Sequence, residues 1–207
     1  ILAFTLSGPI IEDKLFFFFG YEEFERTEPF GYGPKGSGAL NESEAATADV
    51  FDQIASIANS RYGFDPGSYE NLSFPESHEE YTVKLDYYVT DQHRLELNYS
   101  NSEDLLYQGI GGNKFSKTVY SKPPEIERLS FTYYGELTDQ LSVKAKYTSY
   151  EMTEDDGSAG NLFPEVSITY RDDDGNQDYI VLGGEKYRGA NFIAVDTQTF
   201  SLKADYA

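Results

Sequence analysis

The sequence predicts an all-β protein built as an antiparallel meander, and three observations support this fold class. Apolar and polar residues alternate with a period of two in seven segments, as expected for strands with one apolar and one polar face. Short polar turns join most of these segments in pairs, which is typical of β-hairpins. The connections between the pairs are long. The chain has 207 residues, and its longest apolar run is far below the roughly 20 residues of a membrane-spanning helix.

The alternating segments define the strands in chain order. They cover residues 3–9, 15–26, 81–89, 95–99, 129–137, 141–147 and 200–206. The predicted turns lie at 11–14, 90–93 and 138–140, and the predicted long loops lie at about 27–78, 102–126 and 152–196. Short turns at one end of a sheet and long loops at the other are typical of outer-membrane barrels. A soluble sandwich more often has short connections at both ends.

In such a membrane barrel the apolar stripes face lipid and the polar stripes face a wet lumen or a plug. The stripes here contain tyrosine and phenylalanine near the strand ends, as interfacial girdles require, whereas a sandwich core would favour aliphatic residues. The residues predicted to face lipid are Tyr81, Val83, Leu85, Tyr87, Leu95, Leu97, Tyr99, Leu129, Phe131, Tyr133, Leu141, Val143, Phe200 and Leu202. The alternation alone leaves a soluble sandwich open.

The long loops contain two local structures. Apolar residues at helical spacing predict one short helix near 47–62, with Thr47 as its cap and Gly63 at its end. Two short strands, 166–170 and 179–182, flank an Asp-Gly turn and predict a small hairpin.

Charge and composition exclude several functions. The chain has 16 Lys and Arg against 36 Asp and Glu, for a net charge of −20, which argues against nucleic-acid binding. Cysteine is absent, so disulfides and thiolate metal sites are excluded. Aromatic residues make up 16% of the chain, and disordered chains are poor in them.

Catalytic and metal-binding patterns have little support in this sequence. The two histidines, His78 and His93, lack the spacing of a zinc-helix motif. We therefore expect no enzyme activity and no cofactor. Four residues at the tip of the small hairpin are spaced like calcium ligands, namely Asp172, Asp174, Asn176 and Asp178. Gly175 is misplaced for an EF-hand loop, so we expect a solvated tip, with bound calcium as the alternative.

The opening hairpin carries a specific motif. It resembles the early barrel hairpin of TonB-dependent outer-membrane receptors, and the Oar-like group in particular. The residues that carry the resemblance are Gly8, Pro9, Ile10, Asp13, Lys14, Leu15, Phe16, Phe17, Tyr21 and Glu22. The sequence departs from the motif at Glu12, where lysine is commoner, and at Ser7, where glycine is usual.

The resemblance implies a barrel of about 22 strands with a plugged lumen, in the outer membrane of a Gram-negative bacterium. The chain would be a partial barrel, and the signal peptide, the plug, the segment that contacts TonB and the remaining strands would lie outside it. Ile1 and Ala207 both fall within alternating stretches, which also predicts a fragment of a longer protein. The implied function is energised uptake of a ligand that the sequence does not identify. The implied partners are outer-membrane lipid and, through the missing N-terminal part, TonB.

Two other functions remain open at this stage. A secreted soluble β-protein would bind carbohydrate or protein through its long loops, and it would dissolve without detergent. A small autonomous barrel used in adhesion would need closure and an even number of strands, which seven strands do not provide.

Overall fold

The structure, a computed structural model, describes residues 1–109, 111–158, 163–186 and 191–207. Its elements in chain order are β1 (Leu2–Ile11), β2 (Leu15–Pro29), β3 (Tyr32–Gly33), β4 (Asn41–Glu42), helix α1 (Ala48–Tyr62), β5 (Ser73–Thr90), β6 (His93–Gln108), a 3₁₀ turn (Ser116–Thr118), β7 (Tyr120–Lys122), β8 (Pro124–Thr138), β9 (Leu141–Asp155), β10 (Gly157–Ser158), β11 (Val166–Arg171), β12 (Gln177–Leu182) and β13 (Phe192–Tyr206).

The seven long strands form one antiparallel sheet in the order β1-β2-β5-β6-β8-β9-β13. Every neighbour in this order is the next long strand along the chain, so the predicted meander with one short helix is confirmed. The outer strands β1 and β13 each pair with one neighbour only within the described residues. The sheet is therefore open, with an unpaired edge on each side.

The strands are longer than predicted, and the predicted loop bounds were wrong by several residues. The strands have 10 to 18 residues, so the long connections shrink to 30–72, 109–123 and 156–191. Backbone pairing continues where both faces are polar, as in residues 76–80 of β5, and such stretches carry no period-two signal. In the third connection, residues 159–162 and 187–190 lie outside the described part.

The three short turns lie together at the end of the sheet opposite the long connections. Two of them are built alike, since Thr90 Oγ1 accepts the Gln92 amide at 3.3 Å and Thr138 Oγ1 accepts the Gln140 amide at 3.2 Å. In the first hairpin Asp13 takes a positive φ of 59°, a conformation that aspartate tolerates.

The local predictions for the long connections are confirmed. Helix α1 starts after Thr47, which has extended backbone angles but makes no side-chain cap bond. It ends at Gly63, whose φ of 64° lets its amide bond the last carbonyls of the helix. Strands β11 and β12 form the predicted hairpin, with Val166 paired to Leu182 and Arg171 paired to Gln177.

The long connections pack into one body, which we call the loop layer (the described residues of 30–72, 109–123 and 156–191). Its core brings together Phe51 of α1, Phe115 of the second connection and Ile180 of β12, all at most 2% exposed. The buried apolar residues of the described chain all belong to the loop layer, and they are Phe30, Ala45, Ala46, Phe51, Ala58, Phe115, Val119, Tyr120, Ile180 and Leu182.

Candidate functional site

One face of the sheet carries a continuous apolar belt. Residues that oppose each other directly in an antiparallel ladder share a face, and the register aligns Leu85, Leu97, Phe131, Tyr147 and Phe200 across five strands. All the residues predicted to face lipid fall on this face. The residues of β5 from Tyr81 to Val89 cross the belt, and about 9–11 residues of a tilted strand cross a bilayer.

The belt is not covered by any other part of the described chain. Phe131 is 41% exposed, Phe200 is 69% exposed and Leu202 is 66% exposed. On β1, Phe4 and Leu6 are 50% and 59% exposed. An apolar surface of this extent is unusual on a soluble monomer and marks a surface that another apolar phase or partner covers.

Two rows that both contain acids, which we call the acidic rows, border the belt on the loop-layer side. Tyr21 lies opposite Tyr81, and the Tyr81 and Tyr99 rings are 6.0 Å apart between centroids. The row next to the belt runs from Tyr21 and Tyr81 through Asn101 to the acids Glu127, Glu151 and Asp196. The second row lies one step closer to the loop layer and contains Glu23, Glu79, Glu103 and Glu125. Like charges placed directly opposite destabilise a sheet, so these rows fix a sharp polar boundary for the belt.

The opposite face of the sheet is polar and carries cations. The central part of this face extends from the row of Arg128 to the row of Arg94, with both rows included. Its charged residues are the bases Lys84, Arg94, Arg128, Lys144, Lys146 and Lys203 and the acids Asp86 and Glu96. The Arg94 guanidinium contacts both acids, at 3.5 Å from Asp86 and 3.1 Å from Glu96. It also lies 4.3 Å from the centre of the Tyr134 ring, which is a cation–π contact.

Open clefts indent this polar face, and two of them border its cationic centre. The first, of about 460 Å³, lies near the short turns and is lined by Tyr88, Arg94, Tyr134, Lys144 and Lys203 among others. The second, of about 280 Å³, lies near the middle of the strands, and its polar-face lining consists of Thr82, Asn98, Ser100, Arg128, Ser130, Lys146 and Thr148. The face thus offers hydroxyl, amide and cationic groups and few apolar ones.

The loop layer is joined by a buried carboxylate that the sequence analysis did not single out as a structural group. Asp178 Oδ2 accepts the Ser43 hydroxyl and the Ala45 amide, both at 2.6 Å, and the Ala46 amide at 2.8 Å. Its Oδ1 accepts Asn113 Nδ2 at 2.9 Å. One aspartate therefore ties together residues from all three long connections.

These donors also set the charge state of Asp178. Burial alone would raise the pKa of Asp178, but the hydrogen bonds from Ser43 and from the Ala45 and Ala46 amides outweigh burial and lower that pKa below its ordinary value. The carboxylate is therefore ionised at neutral pH, and N–H and O–H donors surround it where a cation would need oxygen ligands.

The other calcium candidates either have hydrogen-bond partners within the protein or are exposed to solvent. Asp172 accepts the Asn176 amide at 2.8 Å and Lys35 Nζ at 3.1 Å, and the hydrogen bonds from Asn176 and Lys35 lower the pKa of Asp172 to about 2. Asp174 is exposed at the hairpin tip. The described residues contain no group of three or more histidines and acids arranged to hold a metal ion, so the calcium alternative gains no geometric support.

Several other side chains noted in the sequence have structural partners. His78 Nδ1 lies 2.7 Å from Asp104, and His93 Nδ1 lies 2.8 Å from the Tyr133 hydroxyl. The motif residues of the opening hairpin lie on β1 and β2 and in their turn, with Gly8 opposite Phe17 and Pro9 opposite Phe16. These residues thus form a hairpin.

Comparison with known proteins gives no match. No family model, no curated protein and no solved structure matches this chain. Among the described residues, no helix has the length and hydropathy to span a bilayer.

Proposed function

We propose that the chain forms part of the barrel wall of an Oar-like, TonB-dependent outer-membrane receptor that takes up a ligand with energy from the inner membrane. The single observation that carries the proposal is the distribution of burial. The long strands contribute none of the buried apolar residues of the described chain, and the side chains of their apolar belt are half-buried or exposed on every strand from β1 to β13. A lipid phase would cover such a belt without a second sheet.

Three further features support the same placement. The six long strands β2, β5, β6, β8, β9 and β13 have 15 to 18 residues, which exceeds the roughly 3–10 residues usual in globular proteins. The unpaired edges of β1 and β13 suit a sheet that continues into further strands. The acidic rows and the loop layer lie on one side of the belt, where outer loops would stand, and the short turns would face the periplasm.

In this proposal the chain supplies walls and loops and no catalytic group. The polar face would line the lumen and meet the plug, and lipid of the outer membrane would contact the belt. TonB would act on a part of the receptor outside these 207 residues.

Fractionation of cells that produce the full-length gene product tests the proposal. We expect the protein in the outer-membrane fraction, where high salt and carbonate leave it bound and detergent extracts it. A protein that stays in the soluble fraction would refute the receptor proposal.

That second outcome would favour a secreted β-protein that binds carbohydrate or protein through its loops. The loop layer has a core of its own, and Tyr62 and Leu40 on its surface are 69% and 88% exposed. A soluble binding protein would use such exposed side chains as contacts.

A further inference from the structure

The central part of the polar face has more bases than acids, whereas the chain as a whole has more acids than bases. The net charge of the chain is −20, yet the central part of this face holds six bases and two acids. Both acids contact Arg94, and six bases minus two acids leave this part of the face with a formal charge of +4. The remaining bases give the middle of the face a positive potential within an acidic protein.

Three of these bases surround one row of the sheet. The row runs from Lys84 on β5 through Asn98 and Ser130 to Thr148 on β9. Arg128 lies on β8 one step towards the loop layer, and Lys146 lies on β9 one step towards the short turns. Same-face neighbours along a strand are about 7 Å apart, so both side chains can reach the Ser130–Thr148 pair.

The three bases have no carboxylate partner within 4.0 Å among the residues that the structure describes. The Arg128 guanidinium lies over the Tyr150 ring, 5.4 Å from its centroid. Lys84 is exposed and Lys146 is half-buried, so their ammonium groups remain available to a ligand.

The floor between the bases carries hydrogen-bond donors. Ser100, Ser130 and Thr148 provide hydroxyl groups around the cleft of about 280 Å³, whereas the Thr82 hydroxyl donates to Glu80 at 3.3 Å. Asn98 Nδ2 donates to Ser130 Oγ at 3.5 Å, so the Ser130 hydroxyl hydrogen is free to point towards a ligand. Guanidinium, ammonium and hydroxyl donors directed to one place match the oxygens of a phosphate or carboxylate group.

We propose that this row is a binding site for a small molecule with a multivalent oxyanion group, either phosphate or carboxylate. Arg128 and Lys146 hold the anion from two sides, Lys84 adds long-range attraction, and Ser130 and Thr148 donate hydrogen bonds to it. The further step, that the site lies on the path of the transported ligand, rests on the proposed function. Binding of the anion itself does not rest on that function.

Titration of the full 207-residue chain in an uncharged detergent tests the site, with backbone amide shifts of Ser130 and Thr148 as the readout. Pyrophosphate and citrate represent the two oxyanion sources, and maltose is the neutral control. We expect one or both anions to bind with a dissociation constant of roughly 1 mM, typical of an open, hydrated site, and maltose to leave the shifts unchanged. A response to pyrophosphate alone assigns phosphate, and a response to citrate alone assigns carboxylate.

The double variant Arg128→Gln/Lys146→Gln should raise the dissociation constant of the anion at least about tenfold, because the loss of one charge-assisted hydrogen bond alone weakens binding by about that factor or more. The variant Arg128→Lys/Lys146→Arg keeps both charges and should retain most of the affinity, so it guards against a folding defect. The matched control Arg61→Gln/Arg171→Gln removes two exposed bases from the loop layer and should bind like the parent chain.

Three outcomes would overturn the proposal. The first is no shift with either anion, and the second is an equal loss of affinity in the control variant, which would indicate a general charge effect. The third is binding of a poly-glutamate peptide with no response to either small anion, which would assign the face to an acidic protein segment. Because none of these measurements depends on membrane location, the fractionation experiment can fail while the site is upheld, and the reverse also holds.

Discussion

The loop layer and the sheet bury their side chains in opposite ways. In the loop layer, Phe51, Phe115 and Ile180 from three different connections are fully enclosed, and Asp178 joins the same three connections through hydrogen bonds. In the sheet, backbone pairing is extensive, but the belt residues Phe200 and Leu202 remain 69% and 66% exposed. The connections thus have a protein core, and the strands have none.

Alternation of apolar and polar residues therefore predicts two different faces of a sheet, but it does not predict a buried core. A strand with an apolar and a polar face satisfies the pattern whether protein, lipid or nothing covers the apolar face. The loop layer is stabilised by its own packing, whereas the stability of the sheet depends on what contacts its belt. Substitutions in the two regions should therefore respond differently to the surrounding medium.

The largest effect is expected for Phe51→Ala in the loop layer. The Phe51 ring stacks on Tyr69 at 4.7 Å and meets Phe115 at 5.6 Å, so its removal leaves a cavity that costs about 3–5 kcal/mol. Hydrogen exchange should accelerate in α1 and in β12 and should be unchanged in the central strands.

The control for this substitution is Tyr62→Ala, which removes an aromatic residue that is 69% exposed. It should change exchange in α1 very little. If Phe51→Ala accelerated exchange equally in β6 and β8, the loop layer and the sheet would unfold as one unit, and the loop layer would not be stabilised independently of the sheet.

The next effect concerns the belt and depends on the medium. Leu97 lies in the middle of the belt, and Asn98 lies next to it on the polar face. In the full-length gene product reconstituted in lipid vesicles, Leu97→Arg should lower the free energy of unfolding by about 2–4 kcal/mol, as for arginine at the bilayer midplane. Asn98→Arg should cost less than about 0.5 kcal/mol, as at a wet surface.

Denaturant titration from vesicles measures both values. Equal and small costs for the two variants would mean that water, and not lipid, contacts the belt. That result would count against the receptor proposal and would leave the loop-layer results unaffected.

A smaller effect is expected for Asp178→Asn. The substitution removes the charge and points an amide at the donors of Ser43, Ala45 and Ala46, so it should destabilise the loop layer by about 2 kcal/mol. Asp174→Asn at the exposed hairpin tip is the matched control and should be neutral. Hydrogen exchange of the Ala45 and Ala46 amides gives the measurement, and equal protection in both variants would show that the carboxylate does not hold the connections together.

The same carboxylate predicts a pH dependence. Because its pKa is lowered in the folded state, the stabilisation is complete above the unfolded value near pH 4 and is lost as the pH falls through the folded value. Asp172, whose pKa is lowered to about 2, adds to the same acidic window. Asp178→Asn should therefore flatten the loss of loop-layer protection below about pH 4 without removing it, and an unchanged slope would contradict this assignment.

The sequence predicted local features of the fold and missed the long-range ones. The seven strands, helix α1 and the β11–β12 hairpin follow from periodicity and from turn or cap residues that lie within a few positions of each other. The predicted strand ends were wrong, because residues such as Glu76 to Glu80 pair fully although both faces of the strand are polar there. The contact between Asp178 and Ser43 joins residues 135 positions apart. No local pattern marks Ser43, and the spacing that marks Asp178 indicates a calcium ligand and not this contact.

The smallest effect is expected in the acidic rows, which lie between the belt and the loop layer. Glu103 lies directly between Glu79 and Glu125, so Glu103→Gln removes two like-charge contacts and should raise the free energy of unfolding by about 0.5 kcal/mol at low salt. Glu70→Gln in the loop layer, where Glu70 is exposed, removes an equal charge and should be neutral. The gain should disappear in roughly 1 M salt, where the screening length falls to about 3 Å. A gain that persists at high salt would assign the effect to packing, and the acidic rows would then be an ordinary polar surface and not an electrostatic border of the belt.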